Sequence, residues 1–252
     1  SSVLDKNLSE WKFLGHSVHC LSIIPASHKT KTDKEKGPAI LLIHGFGAST
    51  THWRHNLPVL GKQYEVHALD LLGFGKSSKP GGLAYGGPLW KDQIVAYVQE
   101  KIGRPTILVG NSLGGYAALA SGAALGHEAA GVVLLNAAGY FSEDKKTTKG
   151  FWATARKTVA SIFLKNVLLQ RIIFENLRQP STIKRTLKQV YIDTSNVDDE
   201  LVEAIREPSL DAGAFNVFKS VFDPAGPQGR PLDELFSQLK SPVLLLWGNR
   251  DP

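Results

Sequence analysis

Three short clusters in this chain carry residue types that could perform acyl transfer together. The first is Gly110-Asn111-Ser112-Leu113-Gly114. A serine hydroxyl becomes a nucleophile when a neighbouring base takes its proton. The second is His44-Gly45-Phe46-Gly47, and the third is Trp247-Gly248-Asn249-Arg250-Asp251.

Glycines two residues either side of a serine permit a very tight turn, because a side chain at 110 or 114 would strike the neighbouring strand or helix. Such a turn lifts Ser112 Oγ above the sheet and sets it at the positive end of the following helix. The rival reading is a glycine-rich turn with an incidental serine. Acyl transfer also builds negative charge on a carbonyl oxygen, which two backbone N–H groups must meet. Leu113, directly after the serine, should supply one, and Phe46 in the second cluster the other. His44 reads as a residue that holds this loop by hydrogen bonds, not as the base. Asp251 reads as the acid that orients a histidine and stabilises its imidazolium, against a plain turn-capping role before Pro252. Asn136 also ends a strand but cannot ionise, which favours Asp251 as the acid. Trp53 is a candidate to line a substrate pocket, with core packing as its alternative.

These clusters sit at the ends of apolar runs. Ala39–Ile43 precedes His44, Thr106–Val109 precedes Gly110, and Val243–Trp247 precedes Gly248. Val66–Leu69 and Gly131–Leu135 are two more. Continuous apolar runs of this length fit strands buried on both faces. Helical patterns over Trp90–Ile102 and Leu113–Leu125 lie between them, so a mostly parallel sheet with helices on both faces is expected. Trp11–Leu14 and Val18–Ile24 read as a hairpin about Gly15-His16, and Ser27–Gly37 as an exposed loop. The rhythm breaks over 142–230, which has no strand-like run. Phe151–Leu177, Ser181–Tyr191 and Val197–Arg206 read there as helices of a cap inserted in the core. The expected organisation is core over 1–141, cap over 142–230 and core again over 231–252.

The chain has 252 residues, 42% hydrophobic and 21% charged, an ordinary globular composition. No stretch reaches the about 18 apolar residues of a membrane span. The formal net charge of +6 favours anionic surfaces, lipid headgroups included, without indicating nucleic acid. From Lys145 to Lys188 many Lys and Arg interleave with apolar residues, and Glu175 is the one acid. That mixture suits a membrane surface, or else an apolar face packed on the core with its charges in water. A single cysteine, Cys20, in an alternating run reads as a buried, inert thiol.

The motifs resemble those of α/β-hydrolases. Within that fold, Gly45-Phe46-Gly47-Ala48-Ser49 with His52-Trp53-Arg54-His55-Asn56 resembles the plant and cyanobacterial pheophytinase and chlorophyll dephytylase group. Asp70-Leu71-Leu72-Gly73-Phe74-Gly75-Lys76-Ser77 and Leu134-Leu135-Asn136-Ala137-Ala138-Gly139 are similar too. The resemblance implies hydrolysis of a large apolar ester such as the phytyl ester of chlorophyll, with Ser112 as nucleophile, Asp251 as acid and no metal or organic cofactor. It implies a plastid stroma or cyanobacterial cytoplasm, with contact to thylakoids. Chain order in this fold is serine, acid, histidine. All eight histidines precede Asp251, so the base is expected beyond Pro252 in a longer chain. Two alternatives stand beside this reading. One is a carbon–carbon bond hydrolase of the meta-cleavage type, and the other a hydrolase-like protein that binds an apolar ligand without turnover.

Overall fold

The computed structural model describes residues 8–28, 32–142, 166–223, 226–227 and 229–249. Asp251 therefore lies outside the described residues, as do Phe151, Trp152 and the rest of the first half of the expected cap helix.

Seven strands form one sheet in the order β1-β2-β4-β3-β5-β6-β7. They are β1 (Leu8–Phe13), β2 (His16–Ile23), β3 (Ala39–Ile43), β4 (Val66–Leu69), β5 (Thr106–Asn111), β6 (Ala129–Leu135) and β7 (Val243–Leu246). Strands β3 to β7 run parallel, while β2 joins β4 antiparallel and carries the β1 hairpin. The expected mostly parallel sheet is thus present. Every residue of β3 and β4 is buried, as strands covered on both faces require. β7 is the last strand of the described sheet, paired with β6, and Leu244, Leu245 and Leu246 are each about half exposed there.

Helix α2 (Asn56–Leu60) precedes β4, and helix α4 (Leu113–Leu125) is buried nearly all round, between β5, β6 and α3 (Gly87–Tyr97). A helix apolar on every face belongs in a core. Within Ser27–Gly37 the described residues Ser27, Thr32, Glu35 and Gly37 are exposed, as expected, but the stretch is not all loop. A short 3-10 turn at Ala26–His28 buries His28, and α1 (Asp33–Lys36) follows, with Thr32 N–H donating to the Glu35 carboxylate at 2.7 Å. A Lys- and Asp-rich run hides so short a helix because its cap, not its periodicity, defines it. Cys20 is buried as expected; burial pushes its thiol up to about 12.

After β6 the chain leaves the sheet. Helices α5 (Val167–Leu177), α6 (Pro180–Val190), α7 (Asp199–Ser209) and α8 (Ala214–Val221) follow the loop ends of the strands before α9 (Leu232–Gln238) returns to pack on α4. Among the described residues this stretch contains no strand. Helices α8 and α9 escaped the sequence reading, being eight and seven residues long with Gly and Pro on either side. No described helix is long and apolar enough to cross a membrane.

The β1–β2 hairpin turns on Leu14 and Gly15, with φ +51° and +78°. A two-residue turn with both central residues at positive φ is the type I′ geometry, which favours Asn-Gly. Leu14 adopts it with its side chain largely in water. Replacing Leu14 with Asn removes the left-handed penalty, so Leu14→Asn is expected to raise unfolding stability by about 1 kcal/mol. Urea denaturation of the two proteins checks it; an unchanged or lower midpoint would contradict the turn assignment.

Candidate active site

Ser112 stands between the end of β5 and the first turn of α4, with φ +51° and ψ −117°. A non-glycine residue in that region carries roughly 1–3 kcal/mol of strain, which the surroundings must hold. Three bonds hold its carbonyl: Gly115, Tyr116 and Ala138 N–H donate to Ser112 O at 2.9, 3.2 and 2.9 Å. Its own N–H donates to Leu135 O at 3.0 Å. The turn is therefore clamped from β6 and α4 together.

The flanking glycines leave room for main chain. A Cβ on Gly110 would lie 2.1 Å from Gly114 O, and one on Gly114 would lie 2.3 Å from His44 O and 2.4 Å from Ile43 O. A Cβ on Gly45 would meet Ser112 Cβ at 3.2 Å. The loop after β3 thus lies directly against the Ser112 turn. The sequence reading expected glycines at 110 and 114, and the atoms they avoid are backbone, which cannot move aside.

Phe46 and Leu113 are brought to this place. Among the described residues neither Phe46 N–H nor Leu113 N–H donates to a protein acceptor. Leu113 is the first residue of α4, where unsatisfied N–H groups and the positive end of the helix dipole coincide.

His44 is fully buried at the centre of the loop's bracing. Its Nε2 accepts Leu71 N–H at 3.0 Å, so the proton lies on Nδ1, which donates to Gly45 O at 2.8 Å. Gly45 C=O and Phe46 N–H share one trans peptide plane and point opposite ways. Fixing the carbonyl therefore fixes the direction of the Phe46 N–H. Both ring nitrogens being engaged, His44 has no free lone pair to take a proton from Ser112. Burial holds its pKa below the ordinary imidazole value. Its neighbour His52 is pushed down to about 4 by burial.

Asp70 was not singled out by the sequence reading, and the structure shows how much it organises. Buried at the end of β4, it accepts Thr50 N–H at 2.6 Å and Lys76 N–H at 2.8 Å, while its carbonyl accepts Ser77 Oγ at 2.7 Å. It ties the loop after β3 to the loop after β4. The signal was present in Asp70-x-x-Gly73-x-Gly75: a Cβ at Gly75 would lie 2.1 Å from Asp70 Oδ2.

Phe46 is 43% exposed, edge-on to Phe74 at 5.5 Å and to Phe222 at 5.3 Å. It walls a cavity of about 630 Å³, open to solvent on one side, between the core loops and helices α5 to α8. Phe74, Phe174, Ile183, Val217 and Phe218 complete most of the wall. The cations at its edge are engaged: Lys79 Nζ bonds Gly75 O at 2.6 Å and Asp211 at 2.7 Å, and Arg178 pairs with Glu175. Trp53 is not on this wall. It packs with Leu21, Ile40, Leu42 and Leu57 on the other side of the sheet, buried, with no partner for its indole N–H among the described residues. The pocket expectation for Trp53 is corrected to core packing; an aromatic two turns from a loop looks alike in sequence either way.

Asn136 has a part the sequence reading did not give it. At φ +46° its Oδ1 accepts Gly248 N–H at 3.3 Å, and its N–H donates to Leu246 O at 3.0 Å. It fastens the end of β7 and Gly248, which stands three residues before Asp251 in the sequence.

The neutral, buried state of His44 gives stability a pH dependence. Its folded pKa lies below the unfolded value, so the unfolded chain binds the extra proton. That contribution is complete above the unfolded value and is lost as pH falls below about 6.5, by up to about 1.4 kcal/mol per pH unit. His44→Asn, which keeps a donor toward Gly45 O, should flatten the urea-midpoint slope between about pH 6.5 and 5. Parallel slopes in the two proteins would refute the neutral assignment.

Comparison with known proteins agrees with the architecture. Residues 38–252 match the alpha/beta hydrolase fold family. The chain is 29% identical to the chloroplastic pheophytinase of Arabidopsis thaliana over 89% of its length, and spans about half (54%) of that protein. It is 27% identical to a 2-hydroxy-6-oxo-2,4-heptadienoate hydrolase of Pseudomonas putida, over 87% of this chain and 74% of that one. Among solved structures it resembles a bacterial membrane phospholipase A, with TM-score 0.70 and 27% identity over 97% of this chain and 71% of that one. A meta-cleavage product hydrolase from Pseudomonas fluorescens shares the fold, with TM-score 0.67, 24% identity and coverage of 95% and 79%. The elbow at Ser112, the parallel sheet and the matched span agree, and the chain belongs to the alpha/beta hydrolase fold family.

Proposed function

We propose that this protein is a serine-dependent carboxylic ester hydrolase acting on a large apolar ester. The observation that carries the reading is the strained Ser112 turn with two N–H groups beside it, Phe46 and Leu113, that donate to no protein acceptor among the described residues. Ser112 Oγ attacks the ester carbonyl carbon while a histidine takes its proton. The carbonyl π electrons move onto oxygen, and the Phe46 and Leu113 N–H groups hold that oxyanion. On collapse the C–O bond to the alcohol breaks and the histidine returns the proton to it. Water, deprotonated by the same histidine, then cleaves the acyl-enzyme to the acid and restores Ser112. Asp251 orients the histidine and stabilises its charged form. Fold chain order puts that histidine after Asp251.

The apolar cavity beside Phe46 supports an apolar substrate group, because its cations already have partners and its remaining wall is aliphatic and aromatic. Likeness to pheophytinase along most of the chain favours the phytyl ester of chlorophyll or a related pigment, and with it a plastid stroma or cyanobacterial cytoplasm. Similarity to the heptadienoate hydrolase favours a second reading, hydrolysis of a carbon–carbon bond in a dienone.

Fluorophosphonate labelling of the full-length gene product tests the nucleophile. The wild type should label and Ser112→Ala should not, with ester turnover lower by about 10³-fold or more. Equal labelling of both would refute the assignment. Assays on a phytyl ester and on a dienone separate the two substrates. Ala214 lines the cavity. Ala214→Leu should raise KM for a long-chain ester by about 10-fold while leaving a short acetate ester nearly unaffected. A uniform loss on both esters would remove the cavity from the substrate path.

A further inference from the structure

The helices that wall the apolar cavity also have outer faces. On α5, Gln170 and Phe174 are buried, whereas Leu168 is 70% and Ile172 57% exposed. Leu168 and Ile172 are four residues apart and so occupy one face, with the exposed Arg171 beside them. Val167 extends the exposed apolar surface at the start of the helix. On α6, Thr182 and Ile183 turn inward, while Arg185 and Lys188 stand in water. From Asn166 to Ile192 the chain holds five Lys and Arg against one acid, Glu175, whose carboxylate is taken by Arg171 and Arg178; Lys184 pairs with Asp199 of α7, which leaves Arg185 and Lys188 outside any ion pair among the described residues.

Exposed apolar side chains at helical spacing are costly in water unless something covers them. Their surroundings specify what would. An excess of cations around apolar residues matches a surface of anionic headgroups over hydrocarbon. We infer that the outer face of α5 and α6 docks on an anionic lipid bilayer. Leu168 and Ile172 enter the headgroup–acyl boundary, and Arg185 and Lys188 meet phosphates. The inner faces of the same helices give Phe174, Leu177 and Ile183 to the cavity. Leu177 is both on the cavity wall and exposed, so the cavity opens beside this face. An apolar molecule leaving a bilayer here would reach the cavity without crossing bulk water.

Docking is a binding property and is tested without reference to turnover, so its failure and that of the Ser112 reading are separable. The full-length protein is sedimented with vesicles of phosphatidylcholine alone or mixed with phosphatidylglycerol. Binding to the mixed vesicles is expected, weakening with salt. Leu168→Glu with Ile172→Glu should lower vesicle affinity about 10-fold or more. Arg185→Glu with Lys188→Glu should lower it similarly and flatten its salt dependence. All four residues are on the surface, so the thermal midpoint should not move. If the Glu pair disturbs folding, Leu168→Ser with Ile172→Ser replaces it. Absence of binding to the mixed vesicles, equal binding to both vesicle types, or binding that survives both pairs of substitutions would overturn the inference.

Discussion

The site depends on how closely two stretches of main chain approach one another. The loop after β3 passes within contact of the turn between β5 and α4, and nothing larger than hydrogen fits at the contact. Gly114 faces the carbonyls of Ile43 and His44, and Gly45 faces Ser112. Backbone atoms carry no rotamers and so cannot yield to a new methyl group. This approach sets the distance between the N–H groups of Phe46 and Leu113, which come from different strands. Ser112 takes its positive φ in the tight turn at this contact. The strain at one residue is held by the three N–H groups on its carbonyl and by the burial of α4.

A gap this narrow needs bracing from the outer side, and buried polar side chains supply it. His44 reaches from the loop after β3 to Leu71, and Asp70 reaches back from β4 to Thr50. The two links cross between the same loops in opposite directions. A neutral imidazole makes one link, so no second buried charge is needed beside the Asp70 carboxylate. That carboxylate is met directly by the backbone N–H groups of Thr50 and Lys76, which stabilise its charge. The bracing stays rigid because each member is satisfied by main chain.

The sheet and the elbow were legible in the sequence because each depends on local signals. Five apolar runs ending at histidine, aspartate, glycine or asparagine marked strands β3 to β7 in their places, and Gly110-x-Ser112-x-Gly114 after such a run marked the turn. The reading of His44 as a loop-holding residue followed from its position and matches its two hydrogen bonds. What stayed hidden depends on partners distant in sequence. Asp70 gains its part from Thr50 and Lys76, and Asn136 from Gly248. Trp53 could have faced either side of the sheet, since one residue of rotation in a 3-10 turn decides it. Helices α8 and α9 were too short for their period to show.

Chemistry and selectivity are carried by different layers of this fold, and that division accounts for the mixed company of its relatives. The groups that would meet a reacting carbonyl belong to the sheet and its loops: Ser112, Leu113 and the main chain of Phe46. They are fixed by contacts between glycines and backbone, and those contacts do not depend on the substrate. An ester carbonyl and the carbonyl of a dienone both ask for an attacking oxygen and two N–H donors, so an elbow of this kind suits either chemistry. The cavity wall opposite Phe46 belongs to helices α5 to α8, which touch the core through aliphatic and aromatic side chains such as Phe174, Val217 and Phe218. Apolar packing tolerates changes of size and shape that a backbone contact does not. Substitution in the helices can therefore reshape what the site admits while leaving the elbow untouched. Motifs at the elbow consequently identify the family, whereas the helices that wall the cavity take their places from packing and carry no short motif.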